Sequence, residues 1–159
     1  MDNRMGIGYD VHVITKGESL VLGGVEIPHG KGTRGHSDGD VLIHAVVDAL
    51  LGAAGLGDIG KFFPSDDDTW KDVSSLLFLE KSAEMLKNAG TEIVNVDSTI
   101  IIQEPRITPH IDKMIKNVAD ALSVEPNHIS IKATTTDGLG ITGRGEGVAA
   151  LAVASLIAS

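Results

Sequence analysis

GYDVH at residues 8–12 and GHSDGDVLIHAVVDAL at residues 35–50 decide how this chain folds and what it can hold. The first stretch reads as the interior of a β-strand. Side chains alternate between strand faces, so Asp10 and His12 share one side. The second reads as an apolar helix interrupted by Asp40, His44 and Asp48 at successive i, i+4 steps, which sets the three within about 80° of one another. If that stripe faces the strand, Asp10, His12 and His44 meet around one point. Two imidazoles and a carboxylate with a fourth position free are the donor set of a catalytic zinc site rather than a structural one. A lone strand or helix histidine is ordinarily just a satisfied polar residue. The combination with Asp10, and with His36 and Asp48 close by, favours the metal.

A chain of 159 residues suits one domain spanning residues 1–159, able to bury about two thirds of its unfolded surface. The net charge of −9 argues against nucleic-acid or anionic-membrane binding, both of which need basic surfaces. A phosphate site must therefore be local, built from metal, backbone amides and a few cations. The N-terminus lacks a signal-peptide pattern, no apolar run is long enough to span a bilayer, and there is no cysteine, so a cytoplasmic protein is expected.

Along the chain, Lys16-Gly17-Glu18 reads as a turn and residues 19–28, SLVLGGVEIP, as a second strand with a glycine kink, paired to the first as a hairpin. Residues 29–36, HGKGTRGH, read as a mobile loop entering the site. Ser37 and Asp38 are helix-cap residues, and Ser37 with Asp40 resembles a capping box, which predicts a helix from about Asp38 to Ala54. Its N-terminal amides would favour an anion beside His36 and Ser37. Residues 56–70, LGDIGKFFPSDDDTW, form a loop too long for a simple connection.

Residues 74–89 have helical spacing and stop at Gly90. Residues 91–103 are rich in β-branched side chains and read as a central strand. Thr108 as N-cap with Pro109 behind it starts a helix whose stripe of Ile111, Met114, Ile115, Val118, Ala119 and Leu122 is core. Residues 128–136 are a further strand, leading into a glycine-rich loop that matches no nucleotide-binding fingerprint. The final segment, residues 147–158, is ambiguous by periodicity and is taken as strand. The order β-β-α-α-β-α-β-β gives an α+β sandwich with helices on one face of the sheet.

Six ordered blocks now stand together: GYDVH, HSDGD, HAVVDALLGAAGLGDIG, FFPSDDD, TIIIQEPRITPHI and KATTTDGLGITGRGEG. With these the chain resembles the 2-C-methyl-D-erythritol 2,4-cyclodiphosphate synthase family of the non-mevalonate isoprenoid pathway over nearly its whole length. The resemblance implies a ferredoxin-like two-layer protomer with a mixed sheet, in a homotrimer with active sites between subunits. It also implies a lyase reaction, in which the 2-phosphate of 4-diphosphocytidyl-2-C-methyl-D-erythritol 2-phosphate attacks its own β-phosphate and expels CMP.

By the same resemblance Asp10, His12 and His44 are the ligands of one zinc per chain, and His36 and Thr135 stabilise the transition state. Ser37 and Val11 join Asp10, His12 and His36 on the substrate. Asp58, Ile59 and Gly60 contact the methylerythritol, and Phe63, Pro64, Ser65, Asp66 and Asp67 form the neighbouring phosphate loop. Ile102, Gln103, Glu104, Pro105, Arg106, Ile107 and Thr108 hold the cytosine, while Lys132, Thr134, Thr135, Thr136 and Asp137 lie near the diphosphate. Ile141 and Arg144 complete the substrate set.

Three residues depart from the family pattern: Asp137 stands for a usual glutamate on a second metal, Ile141 for a common phenylalanine, and Ser65 for a common aspartate. Aspartate reaches about 1.5 Å less far than glutamate, so a bridging magnesium or manganese ion is expected through a water or a small loop shift. Two other readings fit the residues alone, a zinc-dependent phosphohydrolase and a non-catalytic trimer whose apolar interior binds an isoprenoid. Incorporation of solvent oxygen marks the first, and ligand binding without turnover the second.

Overall fold

The structure, a computed structural model, describes residues 2–158. Its strands and helices in chain order are β1 (Asp2–Lys16), β2 (Leu20–Leu22), β3 (Val25–Ile27), β4 (Lys31–Thr33), α1 (Val41–Ala54), α2 (Ile59–Phe62), α3 (Leu76–Asn88), β5 (Thr91–Ile101), α4 (Ile111–Leu122), β6 (Ile129–Thr134), α5 (Gly140–Gly143) and β7 (Gly147–Ala158). Among the described residues no helix is long and apolar enough to cross a membrane.

One mixed sheet of order β4-β1-β7-β5-β6 carries the fold, with a separate two-stranded β2-β3 ribbon. The C-terminal strand β7 is its middle member, antiparallel both to β1, from Asp2 opposite Ala158 to Val13 opposite Gly147, and to β5. The β5-β6 pair is parallel, as a strand-helix-strand connection through α4 requires. The helices lie against one face. On β7 the residues turned toward them are Val148, Ala150, Ala152, Ala154 and Leu156, all buried. On β1 the opposite face leaves Met5, Ile7, Tyr9, Val11 and Val13 exposed, and Leu151 of β7 continues that apolar surface.

Small residues set the distance between the layers. A Cβ added at Gly8 would sit 1.8 Å from the Ala45 carbonyl oxygen of α1, and one at Gly6 would sit 2.1 Å from that of Ala49. Backbone therefore rests on backbone. Helix α1 is apolar nearly all round and buried along its length, with Leu42, Ile43, Val47, Leu50 and Leu51 fully enclosed, as befits a helix packed on every side.

Several local expectations are corrected. Residues 19–28 do not pair with β1 as one kinked strand. Gly23 and Gly24 both have positive φ, +57° and +69°, and make a two-residue turn that folds the segment on itself. The partner of β1 on that edge is β4, through Ile14, Thr15 and Lys16, so the segment taken as a mobile loop contains a strand. Helix α1 begins at Val41, and its cap is Asp40: the Asp40 carboxylate accepts from the Ile43 amide at 3.1 Å. The same carboxylate accepts from the amides of Gly23 (3.0 Å) and Gly24 (2.7 Å), tying the β2-β3 turn to the helix start. Ser37 caps nothing. Thr108 is likewise no cap; it opens a short 3-10 turn, Thr108–His110, ahead of α4. The 56–70 segment is not wholly irregular, since it contains α2 and a 3-10 turn at Asp68–Trp70.

Gly8→Ala is expected to lower the free energy of unfolding by about 3 kcal/mol or more, since neither backbone can yield without moving α1. Denaturant unfolding of the variant checks this. Asp40 generates a pH prediction. Burial and the charge of Asp38 raise its carboxyl to about 6, against the opposing pull of the amides of Gly24, Ile43 and Gly23. Between the unfolded value near 4 and about 6 the folded state keeps a proton that the unfolded state loses, so this residue's contribution is greatest below that window and declines through it, by about 3 kcal/mol. The stability of the wild-type protein minus that of Asp40→Asn should fall by this amount from pH 4 to pH 7. A difference flat in pH refutes it.

Candidate active site

Strand alternation and the close seat of α1 bring three donors together. Gly6, Gly8, Asp10 and His12 lie on the face of β1 turned to α1, and His44 descends from the first turn of that helix. The Asp10 Oδ2 atom is 2.8 Å from His12 Nε2 and 3.2 Å from His44 Nδ1. Ligand atoms of all three residues lie within 4.8 Å of one another. Donors placed tetrahedrally at a zinc–nitrogen distance of about 2.0–2.1 Å are about 3.3 Å apart, so this spacing fits such an ion. The side chains of Asp10, His12 and His44 are 28%, 13% and 14% exposed, leaving the cluster open on one side. Burial pushes the Asp10 carboxyl upward, but hydrogen bonds to His12 and His44 and their charge outweigh it and hold it well below the usual carboxylate range. Asp10 is an anion here. The buried Nδ1 of His12 has no hydrogen-bond partner among the described residues.

The far side of His44 is held as firmly. Its Nε2 lies 2.9 Å from Ser75 Oγ and 3.1 Å from Ser37 Oγ, and both hydroxyls are buried. Ser75 is a residue that sequence reasoning missed, because it sits 31 positions from His44 in a stretch with no periodic signal. Asp48, one turn beyond His44, is not among the hydrogen-bond partners of the imidazole. Its Oδ1 accepts from the Ile59 amide at 2.7 Å and so fastens the Asp58-Ile59-Gly60 turn to α1. Asp58 caps α2 by accepting from the Lys61 amide.

His36 reaches the next loop, with Nε2 2.9 Å from the Asp67 carbonyl, while Pro64, Ser65 and Asp66 follow α2 close by in sequence. Within that loop Phe63 is an exception. Its ring is buried, stacked 4.6 Å from Phe78 and edge-on to Trp70, so only its backbone is free to meet a ligand. Val11 points to the opposite sheet face from Asp10 and His12. The placement of Val11 follows from the strand alternation itself, whereas the burial of Phe63 comes from packing that the sequence pattern does not specify.

A second concavity, about 340 Å³, is lined by Ile102, Gln103, Glu104, Pro105, Arg106, Ile107, Thr108, Ala133, Thr134 and Thr135. Thr135 donates from Oγ1 to Asp137 Oδ1 at 3.3 Å and accepts from the Asp137 amide at 3.2 Å, with Asp137 in the left-handed region at φ +52°. Thr136 bonds Thr142 and the Leu139 carbonyl, and Ile141 stands exposed on α5. Lys132 is paired with Asp97, and Arg144 with Glu146 through two bonds of 2.9 and 3.2 Å.

The triad and this cleft are separate within one chain. Asp10 is opposite Ala150, Ala150 opposite Ile100, and Ile100 opposite Ala133, so three strand spacings, about 14 Å, divide them. His36 belongs to the triad side and Thr135 to the cleft side.

Residues 3–157 match the YgbB family. A 2-C-methyl-D-erythritol 2,4-cyclodiphosphate synthase of Syntrophomonas wolfei is 57% identical over 150 residues, covering 94% of this chain and 96% of that one. One from Clostridium botulinum is 53% identical over 153 residues, covering 96% and 99%. Among solved structures, the Plasmodium falciparum IspF CDP complex superposes with a TM-score of 0.86 at 34% identity, covering 99% of this chain and 97% of that one. The bifunctional IspDF of Campylobacter jejuni gives 0.94 at 39% identity, covering 98% of this chain, which spans 42% of the length of that protein.

The triad generates its own prediction. Calorimetric titration with zinc should give one tight site per chain, and His44→Ala should weaken it by more than about 100-fold. Equal affinity in the variant would remove His44 from the donor set.

Proposed function

The chain belongs to the YgbB family, and from that premise we propose that it converts 4-diphosphocytidyl-2-C-methyl-D-erythritol 2-phosphate to 2-C-methyl-D-erythritol 2,4-cyclodiphosphate and CMP, in isoprenoid biosynthesis. An oxygen of the 2-phosphate forms a bond to the β-phosphorus, and the bond from that phosphorus to the oxygen it shares with the CMP phosphate breaks. The observation that carries the reading is the convergence of Asp10, His12 and His44, each partly exposed, around one point. Catalysis of phosphoryl transfer rests on positioning and on drawing charge from the phosphoryl oxygens.

Zinc on Asp10, His12 and His44, and a magnesium or manganese ion taken by Asp137, supply that charge when bound. His36 and Thr135 stabilise the transition state from either side. The 58–60 turn and the 63–67 loop hold the methylerythritol and its phosphate. The 102–108 cleft takes the cytosine, and Lys132, Thr134, Thr136, Ile141 and Arg144 complete the contacts. In this reading residues 1–159 form one cyclodiphosphate synthase domain of ferredoxin-like design, working in the cytoplasm.

The working unit is a homotrimer, for two reasons. The zinc triad and the cytosine cleft lie on strands about 14 Å apart on one protomer, with His36 on the first side and Thr135 on the second, so a neighbouring protomer's cleft is available to complete the triad's site. The outer sheet face, with Met5 73%, Ile7 67% and Val13 64% exposed, is apolar surface of the kind that oligomers cover. A cleft from one protomer beside the triad of the next answers both.

Incubation with the cytidyl substrate, zinc and magnesium in ¹⁸O-water should release CMP and a cyclic diphosphate free of the heavy isotope. A labelled open-chain phosphate would mean a hydrolase instead. Light scattering on the same sample should return three times the chain mass, and an active monomer refutes the shared site.

A further inference from the structure

Beyond the donor triad, a second set of side chains stands behind His44 with no assigned part in the reaction. Ser75 Oγ is 2.9 Å from His44 Nε2 and 2.5 Å from Asp38 Oδ1. Asp38 is fixed in turn, since its Oδ2 accepts from the Ser75 amide at 3.0 Å and its Oδ1 from the Asp40 amide at 3.1 Å. Ser75 has no exposed surface, so water does not compete for these bonds. It is the cap residue of α3 by position, yet its hydroxyl bonds no amide of that helix and is turned to His44 and Asp38 instead. A hydroxyl surrendered by a helix cap costs stability, which makes its alternative use informative.

With a metal ion on Nδ1, the chemistry of the three groups fixes the proton positions. An ionised carboxylate only accepts, so the Ser75 hydroxyl donates to Asp38, and the oxygen of Ser75 is left to accept. It accepts from His44 Nε2–H. Nδ1, 3.2 Å from Asp10 Oδ2, is then the nitrogen whose lone pair would meet the ion, in place of the hydrogen bond it makes to the Asp10 anion here. Ser37 Oγ, 3.1 Å from the same Nε2 and 3.2 Å from Ser75 Oγ, joins the relay from the other side.

We propose that Asp38 and Ser75 are positioning residues that hold His44 in the Nε2–H tautomer and thereby set the metal affinity of the Asp10-His12-His44 cluster. The proposal rests on reading that cluster as a zinc site. Partners of this kind, standing behind a ligating imidazole, govern metal affinity by about 10–100-fold.

The test is zinc titration of wild-type, Ser75→Ala and Asp38→Asn proteins, with imidazole ¹⁵N–¹H spectra of each protein loaded with zinc. The wild-type spectrum should show a His44 Nε2–H resonance protected from solvent exchange, and Ser75→Ala should show that proton shifted and exchanging. Zinc affinity should fall about 10–100-fold in Ser75→Ala and by less in Asp38→Asn, which keeps the side-chain size. Saturating zinc should restore most of kcat, because no group that touches substrate has been removed. A purely structural role for Ser75 would lower thermal stability without moving the Nε2–H resonance or the zinc constant, and that result overturns the proposal. If Ser75→Ala does not fold, Asp38→Asn decides, and a zinc constant equal to wild type there overturns it as well. Wild-type protein that binds no zinc would instead refute the metal reading on which the proposal rests.

Discussion

Direct contact between the backbone of α1 and the backbone of β1 is the constraint from which the site follows. Glycine at positions 6 and 8 lets the carbonyl oxygens of Ala45 and Ala49 occupy the space where side chains would be. A helix normally packs with its axis about 10 Å from a neighbouring layer because side chains intervene. Removing them draws His44 down until its Nδ1 is 3.2 Å from Asp10, a reach that a conventionally spaced helix would deny it. The alanines at 150, 152 and 154 of β7 extend the same low floor beneath α1, so helix and sheet meet closely along both central strands. Packing and chemistry are here one requirement.

The polar residues at the start of α1 divide the work that this closeness imposes. A buried helix end leaves amide groups that must be satisfied, and Asp40 serves one of them together with two amides of the β2-β3 turn. Because Asp40 caps the helix, Ser37 and Asp38 are released for His44 and Ser75. One turn past His44, Asp48 holds the 58–60 turn. A single helix thus supplies a candidate metal donor, an anchor for the donor's surroundings and an anchor for a neighbouring loop. Any shift of α1 moves all three together.

What could be read in the sequence and what could not divides along the range of the interaction. Asp10 with His12, and the stripe of Asp40, His44 and Asp48, were legible because strand and helix periodicities are rigid over two or four residues. The core stripe of α4 was legible for the same reason, with Met114, Val118, Ala119 and Leu122 buried. Partners were not. Alternation in β1 does not say that β4 and β7 are its neighbours, and an apolar strand such as β7 carries no mark of its central place. The Gly23-Gly24 pair looks the same as a kink and as a tight turn until φ is known. Ser37-x-x-Asp40 imitates a capping box, and only the amide that Asp40 meets shows which residue is the cap. Ser75 had no local signal, since its meaning depends wholly on a contact across 31 positions. The cyclodiphosphate synthase resemblance assigned 102–108 to the cytosine and 134–137 to the diphosphate, and the single cleft that 102–108 lines with Ala133, Thr134 and Thr135 is a product of the parallel β5-β6 pairing.

The divided layout of one protomer and its uncovered apolar face are two expressions of the same sheet. Strand β1 uses its inner residues for glycine contacts and candidate metal donors, which leaves only its outer residues to bury apolar surface, and no helix among the described residues covers them. Association is therefore the remaining way to remove Met5, Ile7, Val11 and Val13 from water, at roughly 25 cal/mol for each Å² covered. In the trimer proposed above, burying this face would bring a second copy's edge toward the triad, and closed symmetry would repeat the arrangement three times. The triad of one copy and the cleft of the next would then face one substrate, while each chain keeps its own pair on strands about 14 Å apart. On that reading the apolar outer face of β1 would serve the reaction, by setting the relation between groups that the single chain keeps apart.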